Sequence, residues 1–386
     1  MPFFIVFFST FVLYSRWQQC NGCRTKIFVA TKRIGHILLP LLASILLIAC
    51  TKSVEIEVYN VAPEASFVHM RDGQFALRKP VAICLDNLGQ NDPSVQYFAG
   101  MLRKMRLRPS IVGETTQNAI YMSLNSLPNA ALGPEGYLIE ITPQRIDISA
   151  NTETGLFYAC QSFIQLLPDD VFSHSYRNMA LPCGTILDSL SSDWRSWHLY
   201  ADKYRSPKMM RTLLDSLAMH KINHMIWHLC DSSTWVMEIQ GFPTLDAAMS
   251  ASDIDDIVEY AESRHVQIVP QLDNMICCAP LVGALPRLRC DGAQPQLCLA
   301  LDSTGTVIYS LLDAVMAVFQ SDYLKATIGD DQSVTLCPRC MRQMHQMGLS
   351  NVIQYIYSRQ HSVKQYIVEH ARKPELPDEN APLQRT

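Results

Sequence analysis

Two adjacent carboxylates followed by an amide, Asp330, Asp331 and Gln332, come directly after a predicted apolar strand at residues 324–327. Carboxylates at a strand end can exchange protons with a substrate, and they can stabilise positive charge that develops on it. The side-chain amide of Gln332 has no proton to give at accessible pH. The tract therefore begins like a pair of catalytic acids but carries a neutral group where the proton donor is expected.

Three other apolar tracts also end in an aspartate: Trp227-His228-Leu229-Cys230-Asp231, Gln271-Leu272-Asp273 and Leu187-Asp188. A single aspartate at a strand end is often only a cap for the next helix, and a histidine on an apolar strand is more often a core residue than a catalytic one. Four aspartates at four predicted strand ends are nevertheless hard to attribute to chance. At the carboxyl ends of parallel strands they would meet on one face of a barrel.

These tracts together resemble the strand-end motifs of glycoside hydrolase family 20, the β-N-acetylhexosaminidases, in which the stretch at 329–332 reads Gly-Gly-Asp-Glu. The resemblance continues upstream through two tracts typical of the family's small N-terminal domain, Gly133-Pro134-Glu135-Gly136-Tyr137 and Gly155-Leu156-Phe157-Tyr158. It covers roughly residues 63–379. Several motifs in a fixed order make the assignment specific, although any one of them is weak.

The resemblance implies substrate-assisted retaining hydrolysis of terminal N-acetylglucosamine or N-acetylgalactosamine. The 2-acetamido oxygen attacks the anomeric carbon, so no protein nucleophile is needed. By this resemblance Asp331 orients the acetamido group, and Gln332 occupies the position of the glutamate that protonates the leaving oxygen. Asp231, Asp273 and His228 are expected at the substrate-binding site.

Two further residues depart from the family pattern and point to weakened catalysis. Cys277 falls where a histidine supports the acid, and Cys183 falls where an arginine grips sugar hydroxyls with several donors. The loss of general-acid chemistry alone removes about 10²–10⁴ in rate. We therefore expect a catalytically impaired chain.

The elements predicted for residues 51–170 form a small α+β domain. Short buried strands are expected at 81–85 and 119–124, and a hairpin at 137–149. Helical periodicity is present at 93–105 and 154–167. Family resemblance gives this domain a supporting role without catalytic residues.

From residue 171 onward, alternating strands and helices predict parallel strands with crossover helices, as in a (β/α)₈ barrel. The predicted first strand is Thr185–Leu187, and Ser206 is expected to cap the next helix. Four βα units fit before residue 370, and residues 374–379 resemble a fifth strand. The later strands of the family's barrel have no counterpart here, so we expect an incomplete barrel, from a truncated or decayed reading frame rather than a self-sufficient half-barrel.

Composition supports two domains with hydrophobic cores, since 48% of the 386 residues are hydrophobic and 18% are charged. The net charge is −4 and the pI is about 6.3. The 32 lysines and arginines are scattered along the chain, so there is no electrostatic case for nucleic-acid binding.

Residues 1–50 are typical of a leader. Lys32 and Arg33 precede an apolar stretch at 37–49 that fits a secretory signal. The stretch ends at Leu47-Ile48-Ala49-Cys50, which resembles a bacterial lipoprotein cleavage box with Cys50 as the lipidated residue. A buried core segment is the alternative. The prediction is an exported lipoprotein, periplasmic or associated with the outer membrane or cell surface.

The chain has 13 cysteines, an odd count. Cys337-Pro338-Arg339-Cys340 suggests metal or redox chemistry, but a zinc site needs four ligands and the mature chain holds no second C-x-x-C pair. The resembling family often carries such a pair after this strand. A structural pair is therefore expected, with no metal site and no cofactor.

Three functional classes remain open. The first is a hexosaminidase-type hydrolase that is active only if the substitutions are compensated. The second is a lipid-anchored carbohydrate-binding pseudoenzyme, and the third is a non-functional fragment. Turnover of an aryl N-acetylglucosaminide separates the first class from the others, and saturable sugar binding without turnover selects the second.

Overall fold

The computed structural model describes residues 52–377, apart from 114–116, 174–175, 191, 204–205, 242–246, 292–294 and 331. The leader at 1–50, with Cys50, and Asp331 lie outside the described residues. The described strands form two sheets, and each sheet is packed against its own buried hydrophobic core.

The first sheet has eight strands in the order β1-β8-β6-β7-β5-β3-β4, with β2 paired to β8. Strands β3, β4, β5 and β7 run parallel, whereas β8 is antiparallel to both β2 and β6. The strands are β1 Lys52–Glu55, β2 Phe67–Arg78, β3 Val81–Asp86, β4 Pro109–Val112, β5 Ala119–Leu124, β6 Tyr137–Ile141, β7 Arg145–Ala150 and β8 Tyr176–Asp188.

Two helices cover the first sheet, α1 at Pro93–Lys104 and α2 at Glu153–Gln165. Thr152 caps α2, because its hydroxyl accepts a hydrogen bond from the amide of Gly155 at 3.2 Å. Gly155 has to be a glycine, since a Cβ atom there would lie 2.5 Å from the carbonyl oxygen of Gly136. This close approach joins the two glycine-containing tracts noted in the sequence.

In the second sheet, four strands run parallel in the spatial order β9, β10, β13, β14, with helices between them in the chain. Short strands β11 and β12 continue from the end of β10. The strands are β9 Ser196–Leu199, β10 His224–Cys230, β11 Trp235–Met237, β12 Ala247–Met249, β13 Gln267–Leu272 and β14 Lys325–Ala326. Parallel strands joined by helical crossovers are the arrangement of a TIM-type barrel.

Six α-helices accompany these strands: α3 Pro207–Met219, α4 Ala251–Glu262, α5 Ala279–Ala284, α6 Asp302–Val318, α7 Pro338–Gln346 and α8 Val352–Glu369. Short 3₁₀ turns lie at Met275–Cys277 and Pro286–Leu288. As predicted, Ser206 caps α3, and Pro207 occupies its first position. Among the described residues no helix is both long and apolar enough to cross a membrane.

The side chains of β10 alternate between the two faces of the sheet. Met225, Trp227 and Leu229 pack into the core beneath the helices. Because side chains alternate along a strand, Ile226 and His228 face the inner side of the sheet. Trp227 is therefore a buried core residue.

The predicted first barrel strand, Thr185–Leu187, is wrong. These residues end β8 of the first sheet, where Leu187 lies opposite Phe67 on β2 and Leu138 on β6. The first sheet thus continues past the predicted boundary at residue 170, and the first strand of the barrel-type sheet is β9. The predicted strand at 374–379 is not formed in its described part, 374–377. Its neighbour Lys373 makes one parallel bridge with Tyr323.

Candidate active site

His228 and Asp273 meet where two neighbouring parallel strands end. The Nδ1 atom of His228, on β10, lies 2.5 Å from Oδ2 of Asp273, which follows β13. The His228 side chain is 9% exposed and that of Asp273 is 31% exposed. The pair therefore lies at the surface end of the sheet, where a ligand can reach the carboxylate. Both residues were predicted for the site, and the structure brings them together.

The first barrel strand adds two aromatic groups to this pair. Nδ1 of His198 lies 2.9 Å from Nε2 of His228, and the Tyr200 ring stacks on the His228 ring with centroids 4.5 Å apart. An ionised Asp273 can only accept, so His228 Nδ1 carries the proton, and a neutral His228 then accepts from His198. We call His198, Tyr200, His228 and Asp273 the strand-end cluster.

The carboxyl group of Asp273 is held in its ionised form. Burial alone would raise its pKa, but hydrogen bonds from His228 and Gln271 outweigh this effect. The pKa of Asp273 consequently lies below its ordinary value. A carboxylate with these partners is suited to holding polar or positively charged groups and not to donating a proton at neutral pH.

The loop after β13 is fastened to the loop after β14 by backbone and side-chain bonds. The amides of Met275 and Ile276 donate to the carbonyl oxygens of Thr327 and Ile328 at 3.0 and 3.1 Å. Asn274 exchanges hydrogen bonds with the hydroxyl of Ser333 at 3.1 and 3.2 Å. These contacts hold Asp273 at a fixed position beside the loop that carries residues 330–333.

Within that loop, Asp330 forms a tight turn around its own carboxylate. Its Oδ1 accepts from the amides of Ser333 at 2.6 Å and Gln332 at 3.1 Å. The bonds with Ser333 are the main reason why the pKa of Asp330 lies below its ordinary value. Gln332 is exposed and described, whereas the position of its neighbour Asp331 is outside the described residues.

Cys277, which the resemblance aligns with the supporting histidine, lies next to this loop. Its Sγ is 3.6 Å from the carbonyl oxygen of Ser333, and its side chain is half-buried. Burial raises the pKa of the Cys277 thiol, so the group is neutral at pH 7. A neutral thiol at this place cannot orient a carboxyl group as an imidazole does.

Asp231 is engaged in a local turn. Its Oδ1 accepts from the amides of Ser233 and Thr234 at 2.7 and 2.6 Å and from the Ser233 hydroxyl at 3.1 Å. This is the turn-forming role that a lone aspartate often has. The structure shows no hydrogen bond between Asp231 and Cys277 among the described contacts.

Two predicted positions belong to the first sheet and not to this site. Cys183 lies on β8 opposite Arg71 of β2, and Asp188 ends the same strand. The assignment of Cys183 to the sugar-binding arginine therefore fails, because its strand is not in the barrel-type sheet. An arginine does precede the first barrel strand: Arg195, bonded to Glu135 at 2.7 Å and to the carbonyl of Lys221 at 2.6 Å.

The sequence reasoning missed His198 and Tyr200. Both lie on or directly after β9, two residues apart, and the alternation of His198 and Tyr200 with buried Leu199 was an available signal. It also missed Lys325 on β14, whose charge helps to lower the pKa of Asp273. A cleft of about 600 Å³ lies between β14 and α8 and includes Lys325 and Asp330.

Four cysteines that are distant in the sequence lie close together in the structure. Cys290 and Cys298 approach Cys337 and Cys340, and the four Sγ atoms all lie within 4.8 Å of one another. No disulfide links the cysteines in the described part of the chain. The expectation of no metal site rested on the lack of a second close cysteine pair in the sequence. The fold brings Cys290 and Cys298 next to the Cys337–Cys340 pair.

Two family models match the chain. The model for glycosyl hydrolase family 20, domain 2, matches residues 58–189, and the model for the family's catalytic domain matches residues 193–381. The boundary between the two matches lies between β8 and β9, where the chain passes from the first sheet to the second.

Among curated proteins, the chain is 26% identical over 371 residues to a beta-hexosaminidase of Porphyromonas gingivalis, and the match covers 85% of this chain and 46% of that protein. It is 28% identical over 217 residues to beta-hexosaminidase subunit A2 of Dictyostelium discoideum, covering 53% of this chain and 39% of that one. The chain thus spans less than half the length of these relatives.

Solved structures show the same fold. The β-N-acetylhexosaminidase of Bacteroides fragilis superposes with a TM-score of 0.68 at 23% identity, covering 81% of this chain and 65% of that chain. The exo-β-N-acetylglucosaminidase of Vibrio harveyi, solved with N-acetylglucosamine, gives a TM-score of 0.69 at 18% identity, covering 84% and 55%. With both of its domains matched by the family models, the chain belongs to glycoside hydrolase family 20.

Proposed function

We propose that this chain binds terminal N-acetylhexosamine residues at its strand-end cluster and that its hydrolytic step is severely impaired. The observation that carries the proposal is the exposed amide of Gln332, at the position of the acid, next to a loop fastened to the strand-end cluster. The protein is thus a family 20 hydrolase in which the sugar-binding side of the site is kept and the proton donor is replaced.

The chemistry of the proposed reaction explains why Gln332 is decisive. In substrate-assisted hydrolysis the acetamido oxygen attacks the anomeric carbon, and the bond to the departing oxygen breaks as that oxygen takes up a proton. Asp331 is proposed to stabilise the positive charge on the acetamido group. A carboxamide in the acid position has no proton to deliver to the leaving oxygen.

Neither Asp330 nor Asp273 compensates for Gln332. Hydrogen bonds hold the pKa values of Asp330 and Asp273 below their ordinary values, so both groups are ionised at neutral pH. A general acid needs the opposite, a pKa near the working pH. The two carboxylates can bind and orient a sugar but cannot replace the missing acid.

Solved family members support the sugar class. The Vibrio harveyi enzyme was solved with N-acetylglucosamine, and a Streptomyces plicatus beta-hexosaminidase variant was solved with the product N-acetylglucosamine. The latter superposes on this chain with a TM-score of 0.67 at 22% identity. The proposed ligand of this chain is the same sugar or its N-acetylgalactosamine isomer.

A titration of the purified chain with N-acetylglucosamine, followed by calorimetry or ligand-observed NMR, tests the proposal. Saturable binding is expected, with glucose bound about tenfold more weakly because it lacks the acetamido group. Asp273→Asn should weaken sugar binding, whereas Asp147→Asn is the matched control and should not, because Asp147 is a half-buried aspartate on β7, paired with Arg145. Equal binding of the two sugars, or none of either, would refute a sugar site.

The alternative is a carbohydrate-binding pseudoenzyme held at a membrane by lipid on Cys50. It shares the sugar site and the absence of turnover, and it differs in having a lipid anchor. Cys50→Ala should leave an unprocessed precursor without lipid, because the lipid attaches to that sulfur. Identical processing and membrane partitioning in the variant would remove the lipoprotein proposal.

A further inference from the structure

Four cysteines from two separate loops converge in the second domain. Cys290 and Cys298 follow the 3₁₀ turn and α5 after β13, whereas Cys337 and Cys340 open α7 after β14. Their Sγ atoms all lie within 4.8 Å of one another, with Cys298 Sγ 3.8 Å from Cys337 Sγ and 3.6 Å from Cys340 Sγ. We call these four residues the cysteine cluster.

The separations fit a metal-bound set of thiolates. A tetrahedral zinc ion with Zn–S bonds of about 2.3 Å places its sulfurs about 3.8 Å apart, close to the two measured separations. A disulfide requires a separation of about 2.05 Å, well below them. The cluster is therefore close to the geometry of a four-thiolate site before any ion is added.

Backbone and side-chain donors already point at the sulfurs. Cys337 caps α7, and its Sγ accepts from the amide of Cys340 at 3.5 Å. The Sγ of Cys290 accepts from the side-chain amide of Gln296 at 3.5 Å. Donors to sulfur and a helix amino terminus both favour the thiolate form that a metal needs.

Gln296 is itself fixed between the two loops. It is 2% exposed, its Nε2 donates to the carbonyl oxygen of Thr335 at 2.6 Å, and its Oε1 accepts from the amide of Thr335 at 2.9 Å. This buried amide contacts the sulfur of Cys290 and holds the segment at residues 296–298 beside the start of α7. Such outer contacts are typical of sites whose ligands must keep one geometry.

We propose that the cysteine cluster binds one zinc ion as a structural site with four protein ligands. Three of the four cysteines are buried and Cys290 is half-buried, so the site is closed to substrate. The ion would tie the loop after β13 to the loop after β14. These are the two loops that carry Asp273 and residues 330–333, so the metal would stiffen the sugar site without touching the sugar. The proposal does not depend on the proposed function.

Metal analysis of the full-length chain, purified without chelator, tests this site. About one zinc ion per chain is expected, and Cys298→Ser should reduce zinc to near background. Cys183→Ser is the matched control, since it removes a buried thiol from the first sheet, and should keep its zinc. Replacement of zinc by Co²⁺ in the wild-type chain should give the absorption bands of a tetrahedral four-thiolate site.

A second variant still tests the zinc proposal if Cys298→Ser fails to fold. Cys290→His changes the half-buried ligand to another zinc ligand, so it should retain the metal and shift the Co²⁺ spectrum towards a three-sulfur, one-nitrogen site. A strong chelator should lower the melting temperature of the wild-type chain but not that of metal-free Cys298→Ser. Wild-type chain that contains no zinc, or zinc unaffected by Cys298→Ser, would overturn the proposal. So would disulfides among these four cysteines in non-reduced peptide maps.

Discussion

Two aspartates with basic partners, Asp188 and Asp273, lie near opposite ends of β10, and they differ in how far they are closed off from solvent. Before the strand, Lys221 Nζ lies 2.7 Å from Asp188 Oδ2 and 2.8 Å from the Tyr137 hydroxyl. We call these three residues the buried junction. Its lysine and aspartate side chains are 0% and 4% exposed, against 9% and 31% for His228 and Asp273 in the strand-end cluster.

The buried junction joins the two sheets. Asp188 ends β8 and Tyr137 begins β6, whereas Lys221 lies between α3 and β10. Ser66 completes the shell of Asp188, donating from its amide at 3.2 Å and from its hydroxyl at 3.1 Å. A buried charge with all of its partners supplied by the protein stabilises one arrangement of the chain and has no room for a ligand.

In the strand-end cluster, by comparison, protein groups do not cover the whole carboxylate of Asp273. A binding site requires such an open polar group. Asp273 keeps an exposed carboxylate edge at the carboxyl ends of parallel strands, where enzymes of barrel folds place their sites. An aspartate at a strand end therefore reveals its role through its partners and exposure and not through its sequence context. Asp188 and Asp273 have the same sequence signal, yet Asp188 is 4% exposed and Asp273 is 31% exposed.

Removal of the lysine should have the largest effect on stability. Lys221→Met leaves Asp188 buried without its counter-charge, and such broken pairs cost about 3–5 kcal/mol of unfolding free energy. Urea denaturation measures this loss. Lys203→Met, at an exposed pair with Asp202, is the control and should change the midpoint far less. An equally small loss in both variants would mean that the buried junction does not hold the sheets together.

Removal of His228 should affect sugar binding more than stability. His228→Gln is expected to lower affinity for N-acetylglucosamine about tenfold, because Asp273 loses the partner that fixes it. Its cost in unfolding free energy should be about 1 kcal/mol, since the pair is partly solvated. Titration and urea denaturation of the same variant give both numbers. A large loss of unfolding free energy with unchanged affinity would show that His228 is a structural residue that does not support sugar binding.

A pH series should separate the two ends of β10 further. Burial, aided by the nearby Arg195 charge, lowers the pKa of His224 from 6.5 to about 4. Between these values the unfolded chain binds a proton that the folded chain does not, so unfolding free energy falls as pH drops from 6.5 to about 4. In His224→Gln, the urea midpoint should depend less on pH between 6.5 and about 4. An unchanged slope in the variant would assign the acid sensitivity to other groups.

Much of the fold follows from local sequence, as the first domain shows. The hairpin at 137–149 and the helix beginning at Pro207 lie where alternation and capping place them. Strand β2 was not predicted, because its residues 67–74 are exposed and lack apolar alternation. It forms through pairing with β8, more than 100 residues away, which no local pattern records.

The site was predictable in parts for the same reason. His228 and Asp273 each end an apolar run, so strand-end reasoning finds them one at a time. The error at Thr185–Leu187 arose because an apolar run before an aspartate has the same appearance in either sheet. Cys290 and Cys298 are eight residues apart and distant from Cys337, so only the folded loops bring the cysteine cluster together.

The smallest effect is expected at the acid position. Gln332→Glu alone should restore little turnover, because the neutral Cys277 thiol beside Ser333 cannot orient the new carboxyl group. Gln332→Glu with Cys277→His should yield more activity than the two single changes combined, as residues that act as one unit do. Full recovery from Gln332→Glu alone would show that Cys277 is not coupled to the acid.

Turnover of an aryl N-acetylglucosaminide by the purified wild-type chain tests the central claim most directly. We expect no release of the aryl group above background, since neither Gln332 nor the ionised Asp330 can protonate the leaving oxygen. Clear turnover that Asp331→Ala abolishes and Gln332→Ala leaves intact would contradict it, because the acid would then lie elsewhere in the chain.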